Sequence, residues 1–160
     1  QMFGAADTVV MLEMEATALY DTAVEKQGKI FVTTELGGGG TSTPASLELA
    51  ERGVDNFLCW CGITQGQPQL PEQATRWLDM PNADCYLQSE HNGILELCFK
   101  LGDSVCAGDT LARIHSIERT GEAAVEYTAK RDGILLARRH LGKVNIGDTL
   151  AVLAVQLQDQ

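Results

Sequence analysis

No run of apolar residues in this chain approaches the roughly 18 needed to cross a bilayer, and no basic segment leads into an apolar stretch at its start. Neither a membrane anchor nor a leader is therefore expected. Positive charge is scarce, with 12 Lys and Arg against 22 Asp and Glu and a formal net charge of −10. Phosphate backbones and anionic lipid surfaces attract the opposite balance, which argues against nucleic acid and membranes and for a small solute or a protein surface as partner. The five cysteines, at 59, 61, 85, 98 and 106, are an odd number without the regular spacing of a disulfide framework. Reduced thiols and a cytoplasmic location are expected. What is present, 44% hydrophobic and 21% charged residues in 160, is a globular composition sufficient for one ordinary domain or two small ones.

Gln1 is not an initiator, and residues 8–12, Thr-Val-Val-Met-Leu, already read as a buried strand, so the sequence reads as cut from a longer chain. Residues 16–27 place Leu19, Ala23 and Val24 at helical spacing before Gly28. The β-branched residues 29–36 predict a second strand, running directly into Gly37 to Gly40. Strand, helix and strand suggest a parallel α/β unit. Thr41, Ser42 and Thr43 then offer caps for a helix with Pro44 in its first turn and Gly53 at its end. Residues 54–63 fit a helical stripe better than a strand.

Three of the four prolines, Pro68, Pro71 and Pro81, fall in a stretch of poor periodicity. This gives an expected organisation of an α/β portion over 1–65, a linker over 66–85 and a β-rich domain over 86–157. That last segment repeats itself. Asn92-Gly-Ile-Leu95, Leu101-Gly102, Val105 and Gly108-Asp-Thr-Leu-Ala112 recur as Asp132-Gly-Ile-Leu135, Leu141-Gly142, Val144 and Gly147-Asp-Thr-Leu-Ala151. The offset is 40 from Leu101 to Leu141 and 39 from Gly108 to Gly147, a single deletion. Neither copy buries an apolar face alone, so the pattern predicts a small β structure of two similar halves. It resembles a lipoyl or biotinyl domain, the barrel-sandwich hybrid.

Glu35 is the first candidate for chemistry, since ligand sites in open α/β sheets lie beyond the carboxyl ends of strands and a glycine loop admits a substrate closely. From the residues alone two readings stand, a general base or a solvated strand-end carboxylate. The run Phe31-Val-Thr-Thr-Glu-Leu-Gly-Gly-Gly-Gly40 resembles the strand that carries the catalytic glutamate in the succinylglutamate desuccinylase/aspartoacylase family. The similarity extends through Met11-Leu-Glu13, Leu19-Tyr-Asp-Thr-Ala23, Arg52-Gly-Val-Asp-Asn56, Leu78-Asp-Met-Pro81 and Arg119-Thr-Gly121. The resemblance implies the carboxyl-terminal part of a zinc-carboxypeptidase-like α/β domain followed by a β-rich domain. It further implies hydrolysis of the amide of an N-acylated amino acid, a small-molecule substrate, with Glu35 as the general base. Zinc in this family is held by His-x-x-Glu and a later His upstream of that glutamate. No histidine precedes His91 here, so the metal ligands are expected outside this chain and the chain alone is expected to be inactive.

The resemblance also implies that Tyr127 and Arg131 touch a substrate carboxylate; read by themselves, Tyr127 packs and Arg131 is solvated. His115-Ser-Ile-Glu118 with His140 spells a zinc ligand set, but its place between the two repeat copies favours a solvated loop. Cys59-Trp-Cys61 lacks the spacer of zinc and redox pairs and reads as buried thiols. An alternative from another class is a non-catalytic β module that shapes a substrate entrance or a homo-oligomer. Covalent lipoate or biotin is disfavoured, because the turn at Ile117-Glu-Arg119 holds no lysine.

Overall fold

The structure, a computed structural model, describes residues 2–11 and 19–157. The chain divides into two compact units, one of residues 1–6 with 11–74 and one of 7–10 with 75–160. The division after Ala74 falls inside the proline-marked stretch, and residues 7–10, early in the chain, belong to the second unit.

In the first unit the described part of the expected helix 16–27 is a short α1, Tyr20–Glu25. The expected strand 29–36 is not formed. Residues 30–36 run extended without a backbone hydrogen bond, and Ile30 is 91% and Val32 69% exposed. β-branched composition favours a strand only where a neighbouring strand accepts the pairing, and none lies alongside among the described residues. The helix α2, Pro44–Trp60, starts as its sequence suggests: Thr43 caps the backbone of Ser46, Ser46 returns a bond to Thr43, and Pro44 takes the first turn. It does not end at Gly53. That glycine is buried in mid-helix, where a Cβ would run into the Phe3 ring. The two helical readings 44–52 and 54–63 are thus one helix, its glycine placed for close packing. Asn56, also buried, donates to the Gln69 carbonyl at 2.9 Å and accepts from the Gln69 N–H at 2.6 Å.

In the second unit β1, Asp7–Val10, pairs in parallel with β2, Arg76–Asp79. Residues 29–36, the expected second strand of a parallel unit, do not pair with β1, whose partner is β2. Arg76 fixes that pair by a two-pronged bond to Asp7, at 2.7 and 3.0 Å. The remaining strands are β3 Tyr86–Gln88, β4 Gly93–Leu97, β5 Ser104–Val105, β6 Thr110–His115, β7 Val125–Thr128, β8 Gly133–Arg138, β9 Lys143–Val144 and β10 Thr149–Gln156. One sheet runs β1-β2-β10-β8-β5 with β3 also on β10, the other β7-β6-β4-β9. Leu87, Val105, Leu111, Ile114, Leu135, Val144, Leu150 and Leu153 form the core.

The two copies of the repeat trade partners. Val105 of the first pairs with Gly133 of the second, and Val144 of the second with Gly93 of the first. The backbone N–H of Ala107 donates to Asp132 at 2.7 Å, and that of Ile146 to Asn92 at 3.0 Å. Close approach explains the glycine after each of these residues. A Cβ on Gly93 would run into the His115 carbonyl oxygen, and one on Gly133 would lie 2.8 Å from the Ala154 carbonyl oxygen. On the outer side of β4, β6 and β7, Arg113 bonds Glu96 and Glu126 at 2.9 Å each, and His115 Nε2 lies 2.7 Å from Glu96. The hydrogen bond from His115, then that from Arg113, holds the Glu96 carboxyl below its ordinary value of 4.5.

Three outcomes are expected. Gly93→Ala lowers unfolding stability by about 1–3 kcal/mol in denaturant titration. Gly142→Ala, where a Cβ meets nothing within 4 Å, changes it by under about 0.5 kcal/mol. Because the Glu96 pKa is depressed in the folded state, its contribution is present above the ordinary value and is lost as pH falls through the folded one. Carboxyl NMR is expected to give a Glu96 midpoint below 4.5 that rises in His115→Gln.

Candidate functional site

The first unit presents Glu35 on the extended segment, with its side chain exposed and with no hydrogen bond or ion pair among the described residues. The backbone then turns on glycines with left-handed φ, +82° at Gly37, +63° at Gly39 and +69° at Gly40. Thr41 closes the turn, its backbone N–H and hydroxyl both donating to the Gly38 carbonyl at 3.2 and 2.8 Å. The capped start of α2 follows at once, so the carboxylate stands beside a stretch of bare backbone. That arrangement leaves both carboxylate oxygens open to a proton donor and gives a substrate close access to main-chain groups.

The second unit holds Tyr127 and Arg131. Tyr127 is buried, and its hydroxyl accepts from the Glu90 N–H at 2.9 Å and lies 2.7 Å from His91 Nδ1. The two rings meet edge to face, with centroids 6.1 Å apart. Ser89, itself buried, braces the same turn by donating its hydroxyl to the His91 carbonyl. Arg131 is half-buried. Its guanidinium donates to the Asn82 amide oxygen at 3.2 Å and the Cys85 sulfur at 3.5 Å, and it makes no ion pair among the described residues. The Ser89–His91–Tyr127 network was not legible in the sequence, because its members lie up to 38 positions apart, from 89 to 127, and none belongs to a short motif.

His115 is drawn to Glu96 instead of Glu118, whose backbone N–H bonds the Ser116 hydroxyl, and His140 is exposed. Among the described residues no group of three or more His, Cys, Asp or Glu is placed to hold a metal ion. The Cys59-Trp-Cys61 thiols depart from expectation: Cys59 is half-buried and Cys61 exposed, because α2 ends there and turns its last residues toward solvent. All five cysteines are free.

No family model matches the chain. It is 57% identical over 152 residues to the N-alpha-acetyl-L-2,4-diaminobutyric acid deacetylase of Halomonas elongata, covering 95% of this chain and 44% of that protein. Among solved structures, the product-bound ectoine utilization protein EutE (DoeB) of Ruegeria pomeroyi is 44% identical with a TM-score of 0.90, over 96% of this chain and 46% of that one. A succinylglutamate desuccinylase from Silicibacter sp. TM1040 is 47% identical with a TM-score of 0.90, over 98% and 47%. A succinylglutamate desuccinylase/aspartoacylase from Rhodobacter sphaeroides is 30% identical with a TM-score of 0.88, over 98% and 47%. The chain thus spans about half the length of the relatives it matches. On these matches the chain belongs to the succinylglutamate desuccinylase/aspartoacylase family, aligned with the carboxyl-terminal half of its members.

Proposed function

We propose that this chain supplies the catalytic glutamate of a zinc-dependent hydrolase that removes the acyl group from an N-acylated amino acid. The observation that carries this reading is the open Glu35 carboxylate ahead of its glycine turn, within a chain that is 57% identical to a diaminobutyrate deacetylase. Glu35 takes a proton from the attacking water as the new C–O bond forms, then passes it to the amine nitrogen as the C–N bond breaks. The described residues here do not fit a zinc site, so no step is assigned through the metal, whose ligands we place outside this chain. The Thr34-Glu-Leu-Gly run and Val125-Glu-Tyr127, which resemble the diaminobutyrate deacetylase branch, make N-acetyl-2,4-diaminobutyrate the first substrate to try.

For the second unit we propose a barrel-sandwich hybrid of two similar halves that shapes the substrate entrance, a reading supported by the exchange of strands between the repeat copies. Arg131, whose charge faces only neutral partners, is proposed to receive a substrate carboxylate. Tyr127 would join it only by releasing Glu90 or His91.

The test is an amine-release assay on a zinc-loaded chimera in which this chain replaces the matching half of the Halomonas elongata deacetylase. Offered N-acetyl-2,4-diaminobutyrate, N-acetylaspartate or N-succinylglutamate, it should cleave one of them, and Glu35→Gln should lose a factor of about a hundred or more in turnover with zinc retained. Unchanged turnover would remove Glu35 from the mechanism. The 160-residue chain by itself is expected to show no turnover.

A further inference from the structure

The two copies of the repeat differ where their first strands end. In the first copy β4 pairs with β6 without interruption, from Ile94 opposite His115 to Leu97 opposite Ala112. In the second, β8 pairs with β10 from Ile134 opposite Ala154, but the register shifts between Leu135–Leu153 and Ala137–Val152, so Leu136 is an extra, bulged residue. Beyond the bulge Arg138 lies opposite Ala151 as Leu97 lies opposite Ala112. The Arg139 N–H bonds the Leu150 carbonyl as the Cys98 N–H bonds that of Leu111. Leu97 and Phe99 are partly buried and pack on the core. Their places are taken by Arg138 and, where Phe99-Lys100 shortens to one residue, by His140, both exposed.

This replacement of an apolar cover leaves a cleft of about 210 Å³, lined by Arg138, Arg139 and His140 from the end of β8 and by Thr149, Ala151 and Val152 from β10. Its donors are not used up. The side chains of Arg138, His140 and Thr149 make no hydrogen bond or ion pair among the described residues. Arg139 reaches Asp148 at 3.0 Å through one terminal nitrogen, while its Nε is buried without an acceptor. A single arginine lays its stem over a small residue such as Ala151 and keeps its head in water. Three nitrogen-bearing side chains in a row, with a free hydroxyl and an unmet buried donor beside them, form a donor set without an acceptor.

We propose that this cleft binds a small carboxylate with a short apolar body. The head group follows from the donors, because a guanidinium fork matches the two oxygens of a planar carboxylate. The unpaired charge of Arg138, in a chain of net charge −10, favours an anion at this point. The apolar body follows from Ala137, Ala151 and Val152, which share the cleft and contribute nothing to an inorganic oxyanion. Small size follows from the volume, below the roughly 300–1,000 Å³ of sites that take drug-sized ligands. No step of the hydrolysis is invoked, so the site stands or falls apart from the role of Glu35.

The test is heteronuclear NMR of the 160-residue chain, titrated with sodium butyrate that replaces sodium chloride at constant ionic strength. Saturable shifts of the Ala137, Arg138, Ala151 and Val152 amides are expected, with a dissociation constant on the order of 1 mM. Inorganic phosphate should bind at least about tenfold more weakly, for want of an apolar body. Arg138→Leu, which restores the residue of the first copy, should weaken butyrate about tenfold or more, and Arg138→Lys should recover part of that loss. Lys130→Leu removes an exposed cation outside the cleft and should leave the affinity unchanged. Should Arg138→Leu disturb the rest of the spectrum, Arg138→Gln takes its place. Shifts that grow linearly with concentration, or an equal loss of affinity in Lys130→Leu, would overturn the site. Phosphate binding as tightly as butyrate would overturn the carboxylate assignment.

Discussion

Main-chain pairing between the two copies of the repeat is the constraint on which the second unit depends. The strands β5 and β9 are two residues long and hold no position alone; each is fixed by lying against the first strand of the other copy. That exchange buries Val105 and Val144, while the strand that follows within each copy crowds the glycine: His115 backbone leaves no room for a side chain at 93, and Ala154 backbone none at 133. It also positions the surface turns. Ser89 pairs with Asp148 and Ala129 with Asp109, so the segments carrying His91 and Arg131 leave the sheets at corresponding points of the two copies. From there the copies diverge: the first turn is locked by the Tyr127 hydroxyl, whereas the second leaves Arg131 with neutral partners.

The same constraint, unmet, describes the first unit. Among the described residues, a segment with strand composition stands without a strand beside it, and a helix with sound caps carries an uncovered face. This bears directly on chemistry. A general base is effective only when held within hydrogen-bond reach of the proton it takes, and Glu35 is held no better than residues 30–36 are.

Legibility in the sequence followed the range of the interactions. Local signals read true in the Thr43 cap and Pro44 at the head of α2 and in the glycine turn after Glu35. What failed depended on partners distant in the chain. The β-branched run at 29–36 lacks the neighbour that its composition anticipates, and Gly53, a stop signal by its type, is a packing position because Phe3 lies against it. Pairing of β1 with β2 joins residues 69 apart, from Asp7 to Arg76, and no local pattern announces it. The candidate site divides the same way. Glu35 stood out through a contiguous motif, whereas the bracing of Tyr127 by Glu90 and His91 is a product of folding.

The central claim is that Glu35 serves as the proton carrier in amide hydrolysis. The most direct test is a crystal structure of the zinc-loaded chimera with the amine product bound. The account predicts a Glu35 carboxylate oxygen within about 2.6–3.2 Å of the product amine nitrogen. A carboxylate directed away from that nitrogen, with another acid or base in its place, would contradict it.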